Sequence, residues 1–214
     1  VTPDPAIDRL VGTYVDAVAA RAREVVTILA EPLTKHGREG EFALGRLIAD
    51  AQRTAVGTQI AIMNNGGIRR GLPEGPITYG DLFELQPFQN TLVRLELKGE
   101  HLLAALEHAL DGERGVPTLQ ISGLDVRYEP EAPTGSRVLE ARLPNGTPVR
   151  PDGVYSVAVN DFMAGGGSGY TMLMKAAFSE LTGLVDLDAL VDHLERLPRP
   201  VRPPLDPRWI AVGG

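Results

Sequence analysis

Asn64-Asn65-Gly66-Gly67-Ile68-Arg69 follows a short apolar run, Gln59-Ile60-Ala61-Ile62-Met63. A run of that kind reads as a buried strand. A strand that ends in two Asn and two Gly stops in a loop where backbone can approach a ligand closely. Arg69 adds a fixed positive fork whose donors suit phosphate or carboxylate oxygens. Further along, Gln86-Pro87-Phe88-Gln89-Asn90 sets Phe88 outside the apolar periodicity of the helix before it, an odd place for a core residue. A second glycine passage, Gly165-Gly166-Gly167-Ser168-Gly169, is opened by Phe162 in a comparable position. Each piece alone has a bland reading, because Asn-Gly and Gly-Gly are ordinary turn formers and a lone Arg is usually solvated. Together, two aromatics beside two glycine loops can form a slot for a flat ring. Stacking on one aromatic is worth roughly 1–3 kcal/mol per base and tolerates different bases.

The residues that would break a bond are harder to find. The second glycine loop has neither a Walker Lys nor the G-x-G-x-x-G spacing that cradles a phosphate. His101 and His108 share a helix but lie about two turns, roughly 10 Å, apart, too far to bind one metal. His36 and His193 are remote in sequence from both. No Ser-His-Asp set and no distinctive carboxylate pair emerges from the spacing. The chain offers parts for holding a ligand, no catalytic residue and no metal site of its own.

The elements that must position these residues follow from pattern. Asp4-Pro5 reads as an N-cap with Pro at the first helical position. Ile7, Leu10, Val11, Tyr14, Val15 and Val18 then mark one face of a long first helix. Val25 to Leu33 reads as extended, 42–55 as a helix, 59–63 as a strand and 79–85 as a short helix. Val93, Leu95 and Leu97 alternate with Arg94, Glu96 and Lys98, the signature of a half-buried strand. A helix follows from Gly99. Residues 119–128, 137–143 and 155–159 read as further strands, with Asn145-Gly146 as a hairpin turn between two of them. Helices are expected around 172–178 and 187–197, an extended Pro-rich stretch over 198–207, and a closing strand over 209–212. The order of elements predicts a single mixed α+β domain.

Bulk properties narrow the partners. The 214 residues suffice for one large core. A formal net charge of −7 argues against non-specific nucleic-acid binding. No apolar run approaches a membrane span. The absence of cysteine removes disulfides and thiolate metal sites and leaves the redox compartment open. The chain opens on Val1 rather than Met, so an upstream segment is expected to have been removed.

Five motifs occur in order: Glu41 with Leu44-Gly45-Arg46-Leu47-Ile48-Ala49-Asp50-Ala51, Asn64-Asn65-Gly66-Gly67-Ile68-Arg69, Gln86-Pro87-Phe88-Gln89-Asn90, Leu119-Gln120-Ile121-Ser122-Gly123 and Asn160 to Tyr170. The set resembles the C-terminal domain of the metallophosphatase-type 5′-nucleotidases, a family that includes UDP-sugar hydrolases and 2′,3′-cyclic nucleotide phosphodiesterases. The resemblance implies a linker helix over 1–27 and a nucleotide-binding domain of the 5′-nucleotidase C-terminal type over 28–214. It implies two divalent metal ions in an N-terminal metallophosphatase domain of the same polypeptide, and a domain rotation that delivers the substrate to them. This chain alone would then be inactive, and the whole protein would be a periplasmic, secreted or cell-surface hydrolase of nucleoside phosphates, cyclic nucleotides or UDP-sugars. The alternative is a stand-alone nucleoside-binding module. Carried over by position, Phe88 and Phe162 match the aromatics that sandwich the base, and Asn64, Arg69 and, more loosely, Arg38 match contacts to nucleoside and phosphate. Asn90 matches a base-contacting Asn of some members, and Gly166, Gly167 and Ser168 belong to the ribose loop. Two positions depart from the pattern. Arg46 stands where many members have Asn, and Ser168 replaces an Asp that bonds the ribose hydroxyls in relatives, which weakens the expected ribose recognition.

Overall fold

A computed structural model describes residues 18–35 and 40–213. The expected first helix falls mostly outside them; its described part, residues 18–23, is helical. The strands are β1 (Val25–Leu29), β2 (Ile60–Asn64), β3 (Gly75–Thr78), β4 (Thr91–Lys98), β5 (Leu119–Ser122), β6 (Asp125–Tyr128), β7 (Val138–Arg142), β8 (Val154–Asn160), β9 (Phe178–Val185) and β10 (Trp209–Ala211). The helices after residue 23 are α1 (Ala43–Val56), α2 (Tyr79–Leu85), α3 (Gly99–His108), α4 (Asp161–Ala164) and α5 (Asp186–Arg196). Helices and sheets in this order make the mixed α+β domain that the sequence predicts. Because β1 starts at Val25 and pairs with β3, residues 25–27 of the 1–27 segment lie in a sheet.

The centre is a five-stranded sheet of order β5-β2-β8-β4-β9. Its strands alternate as pleated strands must. Ile60 and Ile62 of β2, Val93, Leu95 and Leu97 of β4, and Tyr155, Val157 and Val159 of β8 enter one core, with Leu102 and Leu106 of α3 and Trp209 of β10. Met63 enters a second core with Leu44, Leu47 and Ile48 of α1, Leu82 and Leu85 of α2, and Leu187, Leu190 and Leu194 of α5. Two cores, one on each face, bury this mixed sheet on both sides. Trp209 packs edge-on against Tyr128 at 5.8 Å and donates its indole N–H to the Leu119 carbonyl at 3.1 Å, which ties the small β10-β6-β7 sheet to the central one.

The pairing decides where a ligand can sit. β2 and β8 run parallel, so Asn64 and Asn160 end side by side. β5 runs against β2 with Leu119 opposite Asn64, and β4 runs against β8 with Leu92 opposite Asn160. β9 runs against β4 with Val185 opposite Thr91. The carboxyl ends of β2, β8 and β9 and the amino ends of β4 and β5 therefore share one edge. Crevices at the carboxyl ends of parallel strands are where sheets of this kind hold ligands.

Four sequence expectations change. The single strand expected over 119–128 is two strands in different sheets, broken at Gly123, whose φ of +74° turns the chain. The Asn145-Gly146 turn folds back on β7 through the Arg142–Pro148 bridge and backbone bonds such as Val149 N–H to the Ala141 carbonyl, and β8 goes to the central sheet instead. Residues 171–175 form a 3-10 turn and Phe178–Val185 a strand, where a helix was expected over 172–178. β3 forms where the sequence shows only Gly-Pro punctuation.

The first motif proves to be scaffolding. A Cβ on Gly45 would lie 2.2 Å from the Gln120 Cγ, so only glycine lets α1 settle against β5. Arg46 donates to the Pro204 carbonyl from Nε at 3.1 Å and Nη2 at 2.9 Å, and pairs with Glu41 at 3.4 Å. Arg208 pairs with Asp50 at 2.7 Å. The departure at Arg46 thus fastens the Pro-rich tail across α1.

Candidate nucleotide-binding site

One cavity of about 270 Å³ is lined by Asn64, Gly66, Gly67, Arg69, Phe88, Asn90, Phe162 and Ser168. Six of the sequence-predicted site residues are brought together there, Asn64, Arg69, Phe88, Asn90, Phe162 and Ser168, joined by Gly66 and Gly67 of the first glycine passage. Gly166, with a left-handed φ of +84°, and Gly167 lie in the same loop as Ser168 but do not line the cavity. Arg38 lies outside the described residues. A second hollow of about 240 Å³ shares Asn64, Gly66 and Ser168 with the first and continues to His108, Thr118 and Tyr170.

The aromatics owe their exposure to local backbone. Phe88 is 56 % exposed and Phe162 50 % exposed, high values for large apolar side chains. Phe88 follows the end of α2, a helix opened by a reciprocal Thr78–Asp81 capping box, and Gln89 behind it takes a left-handed φ of 50°. A non-glycine residue in that region signals a turn worth explaining. Phe162 sits on the single turn of α4, whose N-cap Asn160 accepts the Met163 N–H at 2.8 Å. The loop that follows presses back on it. A Cβ on Gly167 would fall 2.5 Å from the Phe162 carbonyl oxygen and 2.6 Å from its ring.

The polar groups are oriented by partners behind them. Asn160 Nδ2 donates to Asn64 Oδ1 at 3.0 Å, which leaves the Asn64 NH2 as the donor for the cavity. Arg69 reaches the Gly66 carbonyl through Nη1 at 3.2 Å, and its guanidinium stands 5.8 Å over the Phe88 ring. A cation at that distance from an aromatic face is attracted to it. The charge is thereby parked at the cavity mouth. Asn90 Nδ2 donates to Asp186 Oδ2 at 3.2 Å. Asp186 is 1 % exposed, and burial pushes its carboxyl up to about 6.

His108 links the second loop to α3. Its Nε2 meets the Ser168 carbonyl at 2.9 Å, its Nδ1 meets Asp111 at 2.8 Å, and its ring stands edge-on to Tyr170 at 4.6 Å. Burial pushes the Tyr170 hydroxyl up to about 12, so the phenol stays neutral beside Thr118. Ser168 itself adopts φ 55°, a conformation that Asp and Asn tolerate better than most residues.

Sequence reasoning missed three supporting residues. Asn160 carried a usable signal, an Asn directly before Asp161-Phe162-Met163 at the start of a helical turn. Asp186 and His108 carried none, because their partners stand 96 and 60 residues away. Among the described residues no group of three or more His, Asp and Glu side chains can hold a metal ion.

The family profile described as "5'-nucleotidase, C-terminal domain" matches residues 18–175. The chain is 34 % identical over 203 residues to "Endonuclease YhcR" of Bacillus subtilis, covering 94 % of this chain and 16 % of that protein. It is 36 % identical over 184 residues to "Trifunctional nucleotide phosphoesterase protein YfkN" of the same organism, covering 81 % and 13 %. Among solved structures, the 5′-nucleotidase precursor of Thermus thermophilus superposes with a TM-score of 0.85 at 35 % identity, over 97 % of this chain and 43 % of that one. The chain therefore spans less than half the length of each of these relatives. From the matched motifs, the sheet-edge cavity and these likenesses together, the chain belongs to the 5′-nucleotidase C-terminal domain family.

Proposed function

We propose that this chain is the substrate-binding domain of a metal-dependent 5′-nucleotidase-type phosphoesterase, holding the base of a nucleotide between Phe88 and Phe162. The observation that carries the reading is the convergence of two half-exposed aromatics on one cavity, with an Asn on either side and an Arg at the mouth. Arg69 and Arg38 stand for the phosphate side, and Ser168 for the ribose. On this reading the two divalent metals that such hydrolysis uses are held by a further domain of the same polypeptide; among the described residues no group of three or more His, Asp and Glu could hold one. Lengths of the relatives support that division. A place outside the cytoplasm belongs to the same reading; the Thermus relative is described as a precursor, and no described helix is long and apolar enough to cross a membrane.

Calorimetric titration of adenosine and AMP tests the clamp. Phe88→Ala with Phe162→Ala should weaken both at least about ten-fold, since stacking on one aromatic is worth roughly 1–3 kcal/mol. Unchanged binding by the double variant would refute it. Purified chain with manganese and AMP should release no phosphate; turnover that disappears on substituting one of its own residues would contradict the division of labour.

A further inference from the structure

Asn90 and Asp186 are 96 residues apart and meet because β4 begins and β9 ends at the same sheet edge. The contact is double. The Asp186 backbone N–H donates to the Asn90 carbonyl at 2.9 Å, and Asn90 Nδ2 donates to Asp186 Oδ2 at 3.2 Å. The other carboxylate oxygen accepts the Leu187 N–H at 2.8 Å. An ionised carboxylate has lone pairs and no hydrogen to give, so it takes the amide NH2 of Asn90 and turns away its carbonyl. The two ends of an amide are nearly alike in shape, and the chemistry of the partner decides which end faces it. Among the described residues Asn90 Oδ1 has no partner, and its side chain lines the cavity.

We propose that Asp186 is a positioning residue that fixes the Asn90 amide with its carbonyl oxygen toward the cavity, so that the site selects bases bearing an exocyclic amino group, adenine and cytosine, over their keto counterparts. This rests on the reading of the cavity as a nucleoside site. Asn64, held the opposite way by Asn160, presents a donor. The two asparagines then offer one acceptor and one donor, a pattern that complements an amino group and a ring nitrogen. Reversing the Asn90 amide would set a donor against an exocyclic amino donor and leave a buried polar group unpaired, the situation that gives polar sites their discrimination.

The orientation is sensitive to acid. Burial raises the Asp186 carboxyl, the Asn90 and Leu187 hydrogen bonds oppose that rise, and the negative Asp161 at the head of α4 adds to it. In mild acid the carboxyl gains a proton that it can donate to Asn90 Oδ1, and the amide is free to turn.

Adenosine and inosine titrations on the 214-residue chain test this. Nucleosides are used because the second ionisation of a phosphate, near pH 6, would overlap the carboxyl. At pH about 7.5 adenosine should bind on the order of ten-fold tighter than inosine, the factor one ordinary hydrogen bond supplies. Asp186→Asn, whose amide can face Asn90 either way, should bring the ratio close to one while adenosine binding stays within a few-fold. Asn90→Ala removes the acceptor itself and should bring the ratio close to one by weakening adenosine, and lowering the parent to pH about 5 should also bring the ratio toward one. Equal affinity in the parent, a preference for inosine, or a ratio unchanged in Asp186→Asn overturns the assignment. If neither nucleoside binds the parent, the nucleoside reading of the cavity fails and this inference falls with it. If both bind equally, only this inference fails.

Discussion

Asn65, at the first glycine passage, is 1 % exposed and bonded on several sides, whereas Ser168, at the tip of the second, is exposed and tied to the body through one histidine. In the first, Asn65 Nδ2 donates to the Gly40 carbonyl at 3.0 Å and its Oδ1 accepts from Gln120 at 2.6 Å. Gln120 also donates to Gly40 and accepts the Phe42 N–H. The second loop folds on itself through short backbone bonds to Asp161 and Met163 and is reached from outside by His108. One side of the cavity is built into the core and the other is hung from α3. Buried, fully satisfied polar networks rigidify, while segments with few external bonds open at low cost. On the proposed reading of the cavity, the fixed side would set register for the base and the hung side would adjust around the sugar.

Substitutions that act on one side only can break this contrast. Gln120→Ala should have the largest effect, on the order of 4 kcal/mol in urea unfolding, because it opens a buried space and strands partners on Asn65, Gly40 and Phe42. A loss below that of a loop variant would mean that the first passage is no more fixed than the second. Next comes Asp186. Its folded carboxyl lies at about 6, above the ordinary 3.8, so the folded state binds the extra proton between these values. The stability tied to it is full below about pH 4 and lost as pH rises through about 6, on the order of 3 kcal/mol. Asp186→Asn should remove that slope in a pH series of denaturant midpoints; a parallel slope in both proteins would refute the burial argument.

His108→Ala should cost about 1 kcal/mol, the worth of a net hydrogen bond, and should raise amide exchange across 165–169 without touching 64–69. Equal acceleration in both passages would remove the distinction between them. Smallest is Ser168→Asp. The left-handed backbone there suits Asp, and a charged acceptor binds hydroxyls about twice as strongly as a neutral one. Adenosine should tighten several-fold relative to 2′,3′-dideoxyadenosine, and an unchanged ratio would mean that this side chain does not touch the ribose.

The site was more legible in the sequence than the sheet that carries it. Phe88 and Phe162 stood out because they broke the local periodicity, and Asn64 and Arg69 because a glycine pair followed a buried run. β9 escaped because Ser179, Glu180 and Gly183 interrupt any alternation, and nothing demands one at a largely exposed edge strand. Between Leu181 and Val185 that strand is bulged against β4, with the Thr182 hydroxyl donating to the Leu92 carbonyl at 2.8 Å, a feature that blunts edge pairing. The split at Gly123 escaped because Leu119 to Tyr128 is apolar enough for one strand, and only a positive φ reveals two. Contacts such as Asn90 to Asp186 were beyond reach, since chain topology alone brings them together.

Apart from Asn64, the last residue of β2, every residue that lines the cavity lies beyond a strand end, outside the hydrogen-bonded ladder. Loop lengths and side chains at this rim can change without disturbing the register beneath, which makes ligand preference an evolvable trait of a constant body. Asn64 with Asn160 and Asn90 with Asp186 are the exceptions. Within each pair the worth of one side chain depends on the other, so their effects are non-additive. Drift toward a new ligand preference would proceed freely at Ser168, but at these two couplets by paired exchange.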